Sequence, residues 1–137
     1  MDIVGLDSKI HKWNPVNSEG DFSSCSSYHA SARLIIKQAF PFDVILEEVS
    51  LPGTRTRAHD SLRADFYLPK RKIMIEIHGE QHYKQNSMFH ADESEFKIGQ
   101  LKDRNKRLWC EQNNINYVEL PYNHTKEQWE NALCQAK

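Results

Sequence analysis

The stretch Leu62-Arg63-Ala64-Asp65-Phe66-Tyr67-Leu68-Pro69-Lys70-Arg71-Lys72-Ile73-Met74-Ile75-Glu76-Ile77-His78-Gly79-Glu80-Gln81-His82-Tyr83 decides how the rest of the chain is read. It predicts two short strands, roughly 62–68 and 72–79, joined by a basic turn. Each strand carries an acid among apolar neighbours. Asp65 sits with Leu62, Ala64, Phe66 and Leu68, and Glu76 with Ile73, Met74, Ile75 and Ile77. A carboxylate in an apolar strand is costly to bury unless it is paired or binds a cation. Two of them on adjacent strands point to a metal site. Asp65 pairing with Arg63 or Arg71, and Glu76 in a structural salt bridge, are the simpler alternatives.

Hard divalent ions take oxygen ligands, and Mg²⁺ commonly uses one or two carboxylates plus water and substrate phosphate. Asp65, Glu76 and the backbone carbonyl of Ile77 are the expected ligands, with Mg²⁺ the first candidate ion and Mn²⁺ the second. Glu76 and His78 are two positions apart and so share a strand face. His78 is placed to orient or deprotonate a water, or else is a satisfied core histidine. His82, at the strand exit, can act as base or leaving-group acid, or is an ordinary loop residue. One member of the Glu47-Glu48 pair must face inward or toward the site and the other outward, and Glu48 is the one expected at the site.

Upstream of this stretch the sequence predicts a small hairpin or arm over residues 1–25, with Asp2 to Trp13 forming two strands around Asp7-Ser8. A helix follows over 26–40, and then a strand at Val44 to Val49. Downstream, a helix is expected over about 94–113, with Ile98, Leu101, Asn105, Leu108 and Gln112 along one face, Trp109 beside that stripe, and Asp103, Lys106 and Arg107 pointing away from it. A strand from Ile115 to Leu120 and a helix from Thr125 complete the chain. Thr125 and Gln128 fit a capping box. Residues 26–137 thus read as a single α/β (α+β) domain of order α-β-β-β-α-β-α, a central mixed four-stranded sheet flanked by helices.

The 137 residues suffice for one domain with a true core. Hydrophobic residues make up 39% and charged residues 27%, ordinary values for a globular chain. Apolar runs of four or five residues are too short to span a membrane, and a cytoplasmic setting is the default. Net charge is −1, which argues against a generally basic nucleic-acid coat but leaves room for local basic surface. Three such groups occur: Arg55, Arg57 and Arg63; Lys70, Arg71 and Lys72; and the segment holding Lys106 and Arg107. Cys25, Cys110 and Cys134 are odd in number and far apart, so buried free thiols are expected. Structural zinc through Cys25 and His29 is the weaker alternative.

Together, Arg63-Ala64-Asp65-Phe66-Tyr67-Leu68-Pro69, the short gap, Ile73 to Tyr83, the preceding helix and the segment from Gln100 to Leu120 resemble the core of the PD-(D/E)XK nuclease superfamily. Within it the nearest likeness is to the branch of very-short-patch-repair and EDxHD homing endonucleases. The resemblance covers roughly residues 27–122. It implies a restriction-endonuclease-like fold and metal-dependent hydrolysis of DNA. Asp65 then matches the metal-binding aspartate, Glu76 the acid of the E-x-K motif, and Glu48 the glutamate of the first strand. His82 matches the histidine beyond the strand and Asp103 the later aspartate that supports it. The chain departs from the pattern at His78, where the superfamily usually has lysine. It also lacks the zinc ligands of the repair enzymes. The resemblance further implies DNA as partner, a homodimer or separate recognition chain, and a phage or mobile-element origin. A nuclease-fold module that binds nucleic acid or protein without cutting is the alternative.

Overall fold

The apolar alternation around Asp65 and Glu76 does form two strands, and these are the centre of the sheet. The computed structural model describes residues 1–16, 27–78 and 93–136. Within these residues the chain runs β1 (Asp2–Val4), β2 (Ile10–Lys12), α1 (Ser27–Ala39), β3 (Leu46–Ser50), β4 (Arg63–Leu68), β5 (Ile73–His78), α2 (Glu93–Gln112), β6 (Asn116–Pro121) and α3 (Lys126–Ala136). The protein is a mixed α/β structure with three helices and a four-stranded mixed sheet of order β3-β4-β5-β6. The β3–β4 and β4–β5 pairings are antiparallel. β5 and β6 run parallel, a pairing that needs a long crossover, and α2 lies within it. A separate two-stranded sheet, β1–β2, forms the hairpin anticipated around Asp7-Ser8.

Each face of the sheet is covered, so the central strands are apolar on both sides. On one face Phe66, Leu68, Ile73, Ile75, Val118 and Leu120 pack with Ala32, Ile35, Ile36 and Phe40 of the α1 segment and Trp129 and Leu133 of α3. On the other, Tyr67 and Met74 pack with Trp109 and Cys110 of α2 and with Ile3 and Trp13 of the N-terminal hairpin. Trp13 holds that hairpin down. Its ring lies 4.8 Å from Tyr67 and 5.1 Å from Trp109, and its indole N–H donates to the Ser50 carbonyl. Asn113 grips Val4 from the far side, accepting from its N–H at 2.7 Å and donating to its carbonyl at 2.9 Å. The hairpin is therefore packed into the second core.

Close approach of the hairpin to the 52–53 turn requires glycine on both sides. A Cβ on Gly53, whose φ is +72°, would lie 2.6 Å from the Gly5 Cα. The Leu6 N–H reaches the Gly53 carbonyl at 2.7 Å across this contact.

Helix ends follow local chemistry. α3 opens with the expected capping box: the Gln128 N–H donates to the Thr125 hydroxyl, and the Thr125 N–H donates to the Gln128 side chain. α2 closes on Asn114 at φ +55°, with the Ile115 N–H bonded back to the Cys110 carbonyl, a Schellman turn.

The buried face of α2 differs from the expected stripe. Leu108 is 43% exposed, whereas Trp109 and Cys110 are buried and Lys106 points inward. The helix turns its Trp109–Cys110 side to the sheet because those side chains fill the space beside Tyr67 and Met74. Cys110 is a buried thiol as expected, while Cys134 is exposed on α3. Cys25 lies outside the described residues. Among the described residues, no helix is long and apolar enough to cross a membrane.

Candidate metal centre

Asp65 and Glu76 meet where the β4–β5 ladder ends. The last paired residues are Phe66 and Ile75, which sets Asp65 opposite Glu76. Here the carboxylates replace the ladder. Glu76 Oε2 accepts from the Asp65 N–H at 2.7 Å, and Asp65 Oδ2 accepts from the Ile77 N–H at 2.9 Å. Buried backbone donors need partners, and each acid serves the other's strand. Ile77, expected to offer its carbonyl, meets Asp65 through its N–H.

β3 adds a third acid by a local distortion. Glu47 pairs with Phe66 and Val49 with Ala64, so the register brings Glu48 level with Asp65. Glu48 holds φ at +50°, the left-handed region that a residue with a Cβ adopts at a cost of about 1–2 kcal/mol. The doublet is thereby split. Glu48 goes to Asp65, and Glu47 goes to α1, where Arg33 grips its carboxylate at 2.9–3.0 Å and His29 Nε2 lies 2.9 Å from Oε1. Burial works to raise the Glu47 carboxyl, but the Arg33 guanidinium and the hydrogen bond from His29 hold it below its ordinary range.

His29, Glu48 and Asp65 each offer a ligand atom, all within 4.8 Å of one another. Ligands of an octahedral ion at about 2.1 Å lie roughly 3–4 Å apart, so modest closure would seat one. The electrostatics fit a cation as well. Partial burial and the Asp65 charge raise the Glu48 carboxyl above its usual range, outweighing His29, Arg63 and Lys106. A positive ion between Glu48 and Asp65 would relieve that repulsion.

Glu76 lies deeper, at 2% exposure. Lys106 of α2 forms an ion pair with its Oε1. Burial first, then Asp65, still hold the Glu76 carboxyl above its ordinary range, with Lys106 pulling the other way. Lys106 is raised by Glu76, Asp65 and Asp103, which together outweigh its own burial. The ammonium is thus a fixed charge inside the site, where sequence reasoning had grouped it with surface phosphate contacts. Asp103, one turn earlier on α2, contributes to the same field.

His78 is buried, with Nε2 3.2 Å from the Tyr117 hydroxyl and Nδ1 3.8 Å from Glu119 Oε2. Arg107 pairs with Glu119 and lies over the Tyr117 ring, so it too is engaged within the fold. His82 lies outside the described residues. The Lys70–Lys72 turn sits at the opposite end of the β4–β5 hairpin, beyond Leu68, which is itself roughly 10 Å along the strand from Asp65. There Arg71 bonds Asp43 at 2.9 Å and covers the Phe40 ring. Arg55, Arg57 and Arg63 are exposed, at or near the β4 end that carries Asp65. Their loop is anchored: Thr54 bonds Leu51 and Leu62, and His59 bonds the Asp60 carbonyl and Asn105.

The sequence reading leaves His29 out of the site and gives Lys106 a surface role. In the sequence His29 stands out only as a partner for Cys25; its spacing of four from Arg33, ahead of the Glu47-Glu48 doublet, is the available signal. Lys106 carried a weaker one, lying three residues after Asp103 and four before Cys110 on a single helix face.

Comparison with curated proteins finds two viral relatives. The chain is 40% identical over 62 residues to Uncharacterized protein 307L of Invertebrate iridescent virus 6. It is 32% identical over 63 residues to Uncharacterized protein 033L of Invertebrate iridescent virus 3. These matches cover 45% and 46% of this chain and 32% of each viral protein, so the likeness spans about a third of the relatives' length. No family model matches the chain, and no solved structure matches it significantly.

Proposed function

We propose that this protein is a metal-dependent endonuclease that hydrolyses DNA phosphodiesters, with a restriction-endonuclease-like core of the PD-(D/E)XK kind. The observation that carries the reading is the convergence of His29, Glu48 and Asp65 within 4.8 Å beside the buried Glu76–Lys106 pair. A divalent ion bound there would supply Lewis-acid polarisation of the phosphodiester and lower the pKa of water.

Asp65 and Glu48 would hold the cation, their positions set by the β3–β4 register. Lys106, kept protonated, stabilises negative charge that develops on the phosphate. Glu76 holds Lys106 in place. His82, backed by Asp103, is the proton carrier suggested by the family resemblance. Arg55, Arg57 and Arg63 grip the DNA backbone, supplying sequence-independent affinity.

The test is incubation with plasmid, linear duplex and branched DNA, with and without Mg²⁺ or Mn²⁺. Cleavage should need the metal and fall at least about 100-fold in Asp65→Asn. No cleavage of any substrate, or full activity in Asp65→Asn, refutes the proposal. The Glu76–Lys106 pair also favours a second reading, since an ammonium already neutralises the buried acid. A binding module without catalysis would keep that pair, retain salt-sensitive DNA binding and show no metal effect.

A further inference from the structure

We infer that the cation suited to this site is a first-row transition ion rather than Mg²⁺, because His29 contributes an imidazole nitrogen that Glu47 holds in position. The inference rests on the metal-centre reading above and deepens it.

Three observations build the argument. First, the donor set is mixed: one imidazole and two carboxylates. Mg²⁺ favours oxygen ligands and retains water reluctantly given up, whereas transition ions gain from an imidazole nitrogen. Second, the imidazole is built in. His29 is 7% exposed and stacked on Phe66 at 4.5 Å with 25° between the ring planes. Third, its orientation has a dedicated partner. A carboxylate only accepts, so the 2.9 Å contact with Glu47 places a hydrogen on His29 Nε2. In the neutral ring the lone pair then lies on Nδ1. Arg33 clamps Glu47 in turn through Nε to both carboxylate oxygens. A carboxylate that orients a ligating histidine and raises its basicity is the usual outer support of a transition-metal site. Glu47 is on this account a positioning residue.

Calorimetric titration of the intact protein with MnCl₂, CoCl₂ and MgCl₂ tests this, with the visible absorption of bound Co²⁺ as a second readout. Mn²⁺ should bind at least about tenfold tighter than Mg²⁺, and Co²⁺ tighter again. His29→Asn should bring the three ions to within about threefold of one another and change the Co²⁺ spectrum. Glu47→Gln should weaken Co²⁺ and Mn²⁺ by about tenfold while leaving Mg²⁺ nearly unchanged. Thermal melts confirm that both variants are folded; Glu47→Gln keeps the test decisive if His29→Asn is not. Equal affinity for Mg²⁺ and Mn²⁺ in the unmodified protein overturns this inference alone and leaves the nuclease proposal standing. Absence of binding by every ion overturns both.

Discussion

Glu48→Asn should make the metal-free protein more stable while removing its metal response. Glu48 sits at φ +50° on β3, where a left-handed residue with a Cβ costs about 1–2 kcal/mol. Asparagine tolerates this region far better, so the substitution recovers about 1 kcal/mol of backbone strain. It also removes a half-buried carboxylate facing Asp65. That second contribution depends on pH. Partial burial and the Asp65 charge raise the folded-state pKa of Glu48 above its unfolded value. A raised carboxyl stabilises most at low pH, and its contribution is lost as pH rises through the folded value. The variant's advantage should therefore be smallest near pH 4, where only the backbone gain remains, and largest above neutrality. For a chain of this length, 1 kcal/mol corresponds to a rise in Tm of about 3–6 °C. Thermal melts at pH 4 and pH 8, with chelator present, measure both contributions. Adding Mn²⁺ or Co²⁺ should then raise the Tm of the unmodified protein by mass action and leave the variant nearly unmoved. An unchanged or lower Tm in Glu48→Asn without metal would refute the reasoning, since neither the strain nor the repulsion would then be real.

Lys106→Met leaves Glu76 buried without its cation, which should cost about 3–5 kcal/mol at pH 8. Because the Glu76 carboxyl is already raised by burial and Asp65, the loss should shrink toward pH 5 as the acid protonates; equal losses in urea melts at both pH values would contradict this. Gly53→Ala forces a Cβ to 2.6 Å from Gly5 at a positive φ, and should destabilise by about 1–3 kcal/mol with a red shift of Trp13 fluorescence as the hairpin lifts. Leu108→Lys should change stability by no more than about 0.5 kcal/mol, whereas Trp109→Ala should cost about 3–5 kcal/mol, a contrast read directly from denaturation midpoints.

The element order could be read along the chain because local chemistry repeats locally. Apolar runs broken by Pro69 and Pro121 marked strand ends, and Thr125 with Gln128 marked a helix start. The α2 stripe was harder. Leu108 looked apolar enough to bury, and Lys106 too polar. The helix rotated otherwise because Trp109 and Cys110 fill the space over Met74 and Tyr67, and because Glu76 supplies Lys106 with a counter-charge. No period within α2 contains that information.

By itself the sequence determined that Asp65 and Glu76 lie on neighbouring strands and that their charge needs a partner. Desolvation of a carboxylate is unfavourable in any apolar strand, so this followed from residue type and spacing alone. Tertiary structure decided who the partners are. His29 arrives from α1, 36 positions before Asp65, and Lys106 from α2, 30 positions after Glu76. The left-handed turn at Glu48 sends one glutamate to Asp65 and the other to Arg33 and His29. Such choices depend on which helix faces which strand end. That is settled by packing two cores around one sheet, not by any local pattern.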